Sequence, residues 1–480
     1  MSSGRLPGTA LYNRGVVVLL VSTYELGHQP IHVASPAAAL TAAGVETVCV
    51  DLSVDDFDPS LLDAVDAVAF SVPMHTAMRL AVGAATRVRE LKPDLPIAFY
   101  GLYADVGQER NLGTITDVIL CGEYVPGLVD WATRAGPVEQ PVLVHLGQSD
   151  FLIPDRSGLP GLDSYARLEH NDRARLAAAV EASHGCRHRC RHCPIPAVYD
   201  GRMRVVGREI VLGDIDQLVS MGAEHITFSD PDFLNAPAYS MGLLRAAHAA
   251  HPDLSFDVTV KVEHILNHRE LWPEMADLGV LFVVSAFESV DDTTLQILEK
   301  GHTVADMTEA VEVIRQAGIH LRPTWLPFLP WTTTDDVAGI FRFLASEGLA
   351  AAVDPVQMAI KVLIPEGSLL VDRPEMTPHL THFDPEALTW RWNFESAEAE
   401  RLQKELDRIA ADASDCQQDT HTTLQTMWEM VTALTGQDLG ELVRSEVPVP
   451  RLSESWFCCA EPTVGQASAI GPIVMGRRPE

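Results

Sequence analysis

The first 150 residues alternate between short apolar runs and longer stretches with helical spacing. The apolar runs are rich in β-branched or aromatic residues, and turn residues follow each of them. Because these runs lack strict apolar–polar alternation, they are typical of parallel strands buried on both faces. Helical stretches such as 33–43 and 76–91 lie between them. We therefore predict a doubly wound parallel sheet of five strand–helix units, with strands at 16–21, 45–50, 67–71, 97–100 and 118–121.

A second strand–helix alternation begins near residue 178. The segment before it, 152–162, is rich in Pro and Gly, as is typical of a domain boundary. Six strand–helix units predict an open parallel barrel, shorter than the closed barrel of eight units. The predicted barrel strands are 178–183, 225–229, 256–260, 281–286, 320–324 and 355–362.

The pattern changes after about residue 370, where helical spacing predicts helices over 385–413 and 420–434. The last stretch contains several Pro and Gly and little periodicity, which predicts an extended tail. The chain thus divides into a doubly wound sheet domain at 1–150, a partial barrel at 151–370, a helical region at 371–446 and a tail at 447–480.

Composition and charge narrow the functional classes. The 480 residues are 47% hydrophobic and 21% charged, as expected of a globular protein. Acidic residues outnumber basic ones 66 to 35, and the net charge of −31 argues against a nucleic-acid partner and against an anionic membrane surface. The apolar run at 16–21 is too short for a membrane span or a signal peptide, so we expect a cytoplasmic protein.

The densest candidate chemistry is the segment CRHRCRHC, which places Cys186, Cys190 and Cys193 in a C-x3-C-x2-C pattern directly after a predicted strand. Three thiolates can hold three irons of a 4Fe–4S cluster and leave the fourth iron without a protein ligand. The Arg and His side chains between them would offset the cluster's negative charge and ease its reduction. A structural zinc site and three buried structural cysteines are the alternatives, although no second pair of zinc ligands with matching spacing follows.

This spacing resembles the C-x3-C-x-Φ-C motif of the radical S-adenosylmethionine (SAM) superfamily, with His192 at the Φ position. The resemblance implies that SAM chelates the open iron, that one electron cleaves its sulfonium to yield a carbon radical, and that His192 contacts the adenine. It also implies an electron donor such as flavodoxin or ferredoxin. The cofactor carries this chemistry, while the protein positions it and excludes water.

Two further strand ends resemble elements of the same family. The segment 228–233 is similar to an F-x-D-D-x-F element, with Pro231 in place of the second acid, which favours Asp230 over Asp232 as the carboxylate that receives the ammonium of SAM. A helix N-cap is the alternative role for such an Asp. Glu288 and Ser289 resemble an E-S element, which implies contacts with the ribose or the methionine part of SAM.

Lys261 and Glu263 follow the third predicted barrel strand, so we expect them at the same rim of the barrel. Solvation or ion pairing is their alternative role.

The sheet domain and the linker resemble the cobalamin-binding subclass of radical SAM enzymes. The match rests on a Gly-Glu pair after the last strand and on the PDRSGLP segment at 154–160. Cobalamin contacts are then expected at strand ends, from Glu25, His28, Ser71 and Gly101. The chain lacks the D-x-H-x-x-G motif whose His ligates cobalt, so the alternative is a sheet domain that keeps the fold and caps the barrel.

The tail contains two adjacent cysteines, Cys458 and Cys459. Vicinal thiols can chelate a soft, thiophilic element or form a strained, easily reduced disulfide. The alternative is a hydrophobic patch that anchors the tail on the barrel. The segment Cys-Cys-Ala-Glu-Pro resembles the signature of the CUAEP/CCAEP-tail radical SAM proteins, some of which carry selenocysteine at the position of Cys459, and this implies a catalytic role.

Three hypotheses follow. The leading one is a radical SAM enzyme that transfers an aminocarboxypropyl or methyl group to a small arsenic or selenium species held by Cys458 and Cys459. The first alternative is cobalamin-dependent methylation of an unactivated carbon of a small molecule. The second alternative is a non-enzymatic metalloid or redox sensor that keeps the fold.

Overall fold

The computed structural model of the chain describes residues 15–134, 140–443 and 449–454. Its N-terminal part is a parallel sheet with helices on both faces. The strands are β1 (Val17–Ser22), β2 (Glu46–Asp51), β3 (Ala67–Ser71), β4 (Ile97–Tyr100), β5 (Val118–Gly122) and β6 (Val142–His145). The helices are α1 (Ile31–Ala42), α2 (His75–Leu91), α3 (Gln108–Asn111) and α4 (Val125–Arg134).

The strand order β2-β1-β3-β4-β5-β6 reverses at β1, as in a doubly wound sheet, and every pairing is parallel. All five predicted strands are confirmed within two residues. The sixth strand, β6, was missed because it lies at the sheet edge, where its residues are only partly buried or exposed. An edge strand buries fewer of its side chains than a central strand, so its apolar run in the sequence is shorter and harder to recognise.

The second part of the chain is a curled sheet. Its first strands are β7 (Arg167–His170) and β8 (Arg173–Val180), while β9 (Ser183–Gly185) and β10 (Met203–Val205) form a separate antiparallel pair. They are followed by β11 (His225–Phe228), β12 (Ser255–Thr259), β13 (Val280–Glu288) and β14 (His320–Trp325). The helices are α5 (Ile195–Tyr199), α6 (Arg208–Ser220), α7 (Pro237–Ala250), α8 (Val262–Asn267), α9 (Trp272–Asp277), α10 (Asp292–Ile297), α11 (Val304–Gln316) and α12 (Thr334–Glu347).

The C-terminal region contains a hairpin, two long helices and a short strand: β15 (Leu380–Asp384), β16 (Thr389–Trp392), α13 (Ala397–Asp415), α14 (Thr420–Thr435) and β17 (Arg451–Leu452). The barrel sheet has the order β14-β13-β12-β11-β8-β7-β17. Its five strands from β8 to β14 are parallel, whereas β7 and β17 are antiparallel to their neighbours. The prediction of an open parallel barrel is therefore confirmed.

Two predicted elements were wrong. The sixth barrel strand, expected at 355–362, is a 3-10 helix over Pro355–Ala359 followed by a single parallel bridge between Phe328 and Lys361. Pro355 has no N–H to donate to a neighbouring strand. The backbone N–H of Trp325 at the end of β14 donates to the Gln357 side chain at 3.1 Å, and not to the backbone of a sixth strand. The predicted helix over 385–413 begins only at Ala397, because β15 and β16 occupy its first part; the helix expected at 420–434 is confirmed.

The sheet domain and the barrel are joined by a shared core and by the linker. Residues on the β3 and α2 side of the sheet pack against residues that follow barrel elements, including Leu298, Leu326 and Ile360. In the linker, the Arg156 side chain is fully buried and forms a bidentate ion pair with Asp214 at 2.7 and 2.8 Å. No described helix is both long and apolar enough to cross a membrane.

Candidate active site

The cysteine loop lies between β9 and α5, beyond the carboxyl end of β8. Cys186 and Cys190 are buried, Cys193 is partly exposed, and none of the three forms a disulfide within the described residues. The Asn235 side chain donates a hydrogen bond to Cys186 Sγ at 3.4 Å. Burial raises the pKa of Cys186, which favours its thiol form in the absence of a metal ion. Three cysteine thiols on one short loop fit a metal cluster by their chemistry.

A buried ion-pair group borders this loop. Glu288, the last residue of β13, lies 3.1 Å from Lys300 Nζ and 3.0 Å from His192 Nε2. Burial by itself would raise the pKa of Glu288, but the two cationic partners outweigh it and lower that pKa to about 2. The predicted site residues His192 and Glu288 are therefore in direct contact, and Glu288 is held with φ at +69°, an unusual value for a residue other than glycine.

Lys300 lies beside the predicted site residue Glu288, although the sequence analysis did not select it. Its side chain is 3% exposed. Burial by itself lowers its pKa, yet Glu288, and then Cys190 and Cys193, raise that pKa above the ordinary value. A fixed cation thus lies within electrostatic reach of two of the three thiols. The Lys-Gly-His segment at 300–302 is visible in the sequence, but the burial of its Lys is not. A Lys is rarely buried in a core unless it is paired.

Asp230 lies where the first and second parallel strands of the barrel end. Its carboxylate accepts the N–H of Ala182 at 2.9 Å and the hydroxyl of Ser183. Burial raises the pKa of Asp230 to about 7, although these hydrogen bonds oppose the shift. Near neutral pH the side chain is therefore only partly ionised, and a cationic group bound beside it would favour the ionised form.

Three other predicted residues also lie at the rim. Lys261 Nζ contacts Glu263 Oε2 at 3.4 Å and His188 Nδ1 at 3.0 Å. Ser289 Oγ accepts the N–H of Asp291 at 3.1 Å, so it also supports the start of α10. The structure therefore brings six predicted side chains to one rim: His192, Asp230, Lys261, Glu263, Glu288 and Ser289.

A chain of alternating acids and imidazoles connects the sheet domain to the cysteine loop. Glu25, after β1, contacts His32 Nδ1 at 2.9 Å, and His32 Nε2 lies 3.3 Å from Glu181. Glu181 in turn contacts His184 at 3.3 Å, and His184 lies 3.1 Å from Glu123, which follows β5. Burial alone would lower the pKa of His184, but its carboxylate partners raise it to about 10. Glu25 is thus part of an ionic connection between the domains.

The remaining candidates in the sheet domain do not converge on one point. Burial lowers the pKa of His28 to about 4, and its charged neighbours are Asp257, His225 and Arg156 of the barrel and linker. Ser71 is buried at the end of β3. Gly101 has φ at +123°, and a Cβ atom there would lie 3.0 Å from the carbonyl of Val72, so the close turn requires glycine.

The two tail cysteines, Cys458 and Cys459, lie outside the described residues. The chain before them is described as far as residue 454. There the N–H of Arg167 donates to Ser453 Oγ at 2.9 Å, and the Tyr24 hydroxyl contacts Glu454 Oε1 at 3.1 Å. The segment that precedes the tail cysteines is therefore attached both to the barrel sheet and to the first loop of the sheet domain.

Comparison with known proteins finds a family whose model matches part of the chain. Residues 180–344 match the Radical SAM superfamily. Among curated proteins, the hopanoid C-2 methylase of Rhodopseudomonas palustris (strain TIE-1) is 23% identical over 151 residues, which cover 30% of this chain and 29% of that protein. The chain thus matches less than a third of that relative's length.

Two solved structures are similar over most of the chain. The cobalamin-dependent SAM radical enzyme OxsB with aqua-cobalamin bound has a TM-score of 0.63 and 13% identity, over 84% of this chain and 67% of OxsB. The radical SAM methyltransferase TsrM from Kitasatospora setae, with cobalamin and a [4Fe–4S] cluster bound, has a TM-score of 0.53 and 18% identity, over 70% of this chain and 71% of TsrM. These likenesses establish the fold of sheet domain and barrel together. The family match covers residues 180–344, which lie in the barrel and include the three cysteines of the loop.

Proposed function

We propose that the chain is a cobalamin-dependent radical SAM methyltransferase that acts on an unactivated carbon of a small molecule. The observation that carries the proposal is the carboxyl edge of the sheet domain, which borders the barrel rim and holds buried polar atoms without partners. Glu25 Oε2 and Thr76 Oγ1 have no hydrogen-bond partner among the described residues. A polar ligand such as cobalamin would satisfy such atoms. Ser71 and Gly101 belong to the same edge.

In this proposal Cys186, Cys190 and Cys193 hold the cluster, which supplies one electron to SAM when it is bound. Asn235 orients Cys186 by its hydrogen bond. Lys300 offsets negative charge near Cys190 and Cys193 and fixes Glu288, which in turn orients the His192 ring. The buried aromatic and aliphatic residues below the rim exclude water from the radical.

Asp230 receives the ammonium of SAM in this proposal, while Glu288 and Ser289 contact its ribose or methionine part. Lys261 and Glu263 border the same rim and bind polar groups of SAM or of the substrate. Flavodoxin or ferredoxin supplies the electron. The names of the similar proteins support methyl transfer, since a methylase and a methyltransferase are among them.

The test is anaerobic incubation of the purified protein with hydroxocobalamin, SAM and dithionite. We expect about one cobalamin to remain bound to each chain after desalting. We also expect S-adenosylhomocysteine, from methyl donation, together with 5′-deoxyadenosine, from radical cleavage. A protein that cleaves SAM normally but retains no cobalamin would refute the proposal.

A second candidate function is group transfer to a species held by the tail cysteines, and the direction of the strand before the tail favours it. β17 is antiparallel to β7, and β7 is antiparallel to β8, so β17 points in the direction of β8 and toward the cysteine loop. Only three residues lie between Glu454 and Cys458, so their Cα atoms are at most about 14 Å apart. Cys458 and Cys459 would hold an arsenic or selenium species near the rim, where an aminocarboxypropyl or methyl group is transferred to it.

The nucleoside product separates aminocarboxypropyl transfer from methyl transfer, and cobalamin retention separates the methyl version of the second candidate from the first. Transfer of an aminocarboxypropyl group leaves methylthioadenosine, whereas methyl donation leaves S-adenosylhomocysteine. In the second candidate, Cys459→Ser keeps SAM cleavage but abolishes the product. An unchanged rate of product formation by Cys459→Ser would exclude a chemical role for that thiol.

A further inference from the structure

Three potential metal ligands from three separate elements meet beside the cysteine loop. His188 belongs to the loop itself, Asp232 follows β11, and His264 lies on α8. Their atoms His188 Nε2, Asp232 Oδ2 and His264 Nδ1 all lie within 4.8 Å of one another. Asp232 Oδ2 is 2.8 Å from His264 Nδ1 and 3.5 Å from His188 Nε2. The Asp232 side chain is fully buried, whereas both imidazoles are close to the surface.

These contacts are short, but they do not have the geometry of hydrogen bonds. None of the three atoms has a well-directed hydrogen-bond partner among the described residues. Lone pairs that converge on one point produce this pattern. For metal–ligand bonds of about 2.0–2.1 Å, neighbouring ligand atoms lie about 2.9 Å apart in octahedral and about 3.4 Å apart in tetrahedral geometry. The observed separations of 2.8 and 3.5 Å lie just outside the two ends of this range, and the separation of the two imidazole nitrogens is within 4.8 Å.

Metal binding through His188 Nε2 would require a proton on His188 Nδ1, and the neighbours of Nδ1 bear on this requirement. In the structure Lys261 Nζ lies 3.0 Å from His188 Nδ1, to which it can only donate. A metal ion on Nε2 needs a proton on Nδ1, and this proton needs an acceptor. Glu263 Oε2 lies 3.8 Å from Nδ1 and 3.4 Å from Lys261 Nζ. Glu263 Oε2 is therefore the carboxylate within reach to accept this proton, while it also contacts Lys261.

We propose that His188, Asp232 and His264 form a second metal site, separate from the three cysteines, for one divalent ion such as Zn²⁺ or Fe²⁺. Two imidazoles and one carboxylate are a common ligand set for these ions and leave coordination positions open. The open positions would take water or an anionic oxygen of a substrate. A divalent ion here also adds positive charge beside the cysteine loop.

The test uses the full chain with Cys458→Ser and Cys459→Ser, because these thiols would otherwise bind zinc. After anaerobic cluster reconstitution, the protein is equilibrated with Zn²⁺ and desalted, and its zinc and iron contents are measured. We expect about one zinc per chain in addition to the cluster iron. X-ray absorption at the zinc edge should show nitrogen and oxygen ligands without a sulfur shell at about 2.3 Å.

Variants at the site separate it from the cluster. His264→Ala and Asp232→Asn should each weaken zinc binding at least about tenfold, as loss of metal-site groups does, with cluster iron unchanged. The matched control is His268→Ala, because that imidazole follows α8 directly and its ring lies 5.8 Å from the His264 ring. It should keep the zinc. If His264→Ala disturbs the cluster, His264→Gln serves as the second variant and should also lose the zinc.

Three results would overturn the proposal. They are a desalted protein without zinc, a sulfur shell around the zinc, and retention of zinc by either His264 variant. The readout is independent of SAM cleavage and of cobalamin, so failure of the proposed methyltransferase function would leave it intact.

Discussion

The barrel rim and the carboxyl edge of the sheet domain differ in how fully their buried carboxylates are paired. At the rim, apart from the inferred metal site of His188, Asp232 and His264, buried carboxylates are paired: Glu288 has Lys300 and His192 as partners, and Asp230 accepts two hydrogen bonds. At the sheet edge, Glu25 Oε2 and Thr76 Oγ1 are buried without a partner among the described residues. Both regions are carboxyl ends of parallel strands, the usual ligand position of such folds.

The difference in pairing corresponds to two kinds of binding site. A rim that pairs its own charges stays rigid before the cofactor arrives, which suits a cluster and a cosubstrate that must be held in one geometry. Unsatisfied buried atoms cost free energy, so the sheet edge gains stability only when a ligand supplies the missing partners. We therefore expect rim variants to affect chemistry and sheet-edge variants to affect ligand retention.

The largest expected effect comes from Cys190→Ala. Two thiols cannot hold three irons of a cluster, so the protein should lose nearly all of its iron and all SAM cleavage. Cobalamin retention should be unchanged, because Cys190 belongs to the barrel loop and the sheet edge does not use it. Iron content, 5′-deoxyadenosine formation and bound cobalamin are the measurements. Joint loss of iron and cobalamin would mean that the two regions are one binding unit.

The next effect concerns the buried ion pair of Lys300. Lys300→Met leaves Glu288 buried with His192 as its remaining partner, and removal of one member of a buried pair costs about 3–5 kcal/mol. The control is Lys404→Met, which breaks an exposed pair with Glu400 and should cost about 0–1 kcal/mol. The free energy of unfolding in urea is measured for both. Equal losses would contradict the idea that the rim is stabilised by its pairs.

A smaller effect follows from the pKa of Asp230, which burial raises to about 7. Its ionised form binds the ammonium of SAM, so SAM affinity should rise with pH between 5.5 and 7, by about tenfold per unit well below the pKa. SAM dissociation constants at several pH values test this. Asp230→Asn should remove the dependence; a slope that persists in this variant would assign the proton to another group.

The same pKa predicts a stability trend without SAM. Because the folded-state pKa of Asp230 lies above the unfolded value of 3.8, its contribution is fully present below about pH 4 and is lost as the pH rises through about 7.

The smallest effect is a comparison of two glycines in the sheet domain. Both Gly44 and Gly101 have positive φ, so Ala at either position costs about 1–2 kcal/mol. Gly44 has open space around it, whereas a Cβ at Gly101 would lie 3.0 Å from the Val72 carbonyl. Gly101→Ala should therefore cost about 1 kcal/mol more, and it alone should reduce cobalamin retention. Thermal unfolding and cobalamin retention are the measurements.

Sequence patterns predicted the central strands well because those strands are buried on both faces. The patterns predicted strand boundaries poorly where a strand is buried on only one face. β8 begins at Arg173 rather than near residue 178, because its first residues are exposed or half-buried and pair with β7. The region 355–362 failed for the opposite reason, since its apolar residues are buried in 3-10 and irregular structure. Apolar content alone does not distinguish these conformations.

The amino-acid sequence by itself determined the order of elements, the spacing of Cys186, Cys190 and Cys193, and the positions of rim residues at strand ends. Local periodicity and motif spacing are properties of neighbouring residues, so they are visible in the linear chain. Only the tertiary structure decided that Lys300 pairs with Glu288 and that His188, Asp232 and His264 meet. Those partners are many residues apart, and the curl of the sheet and the burial of the rim bring them together.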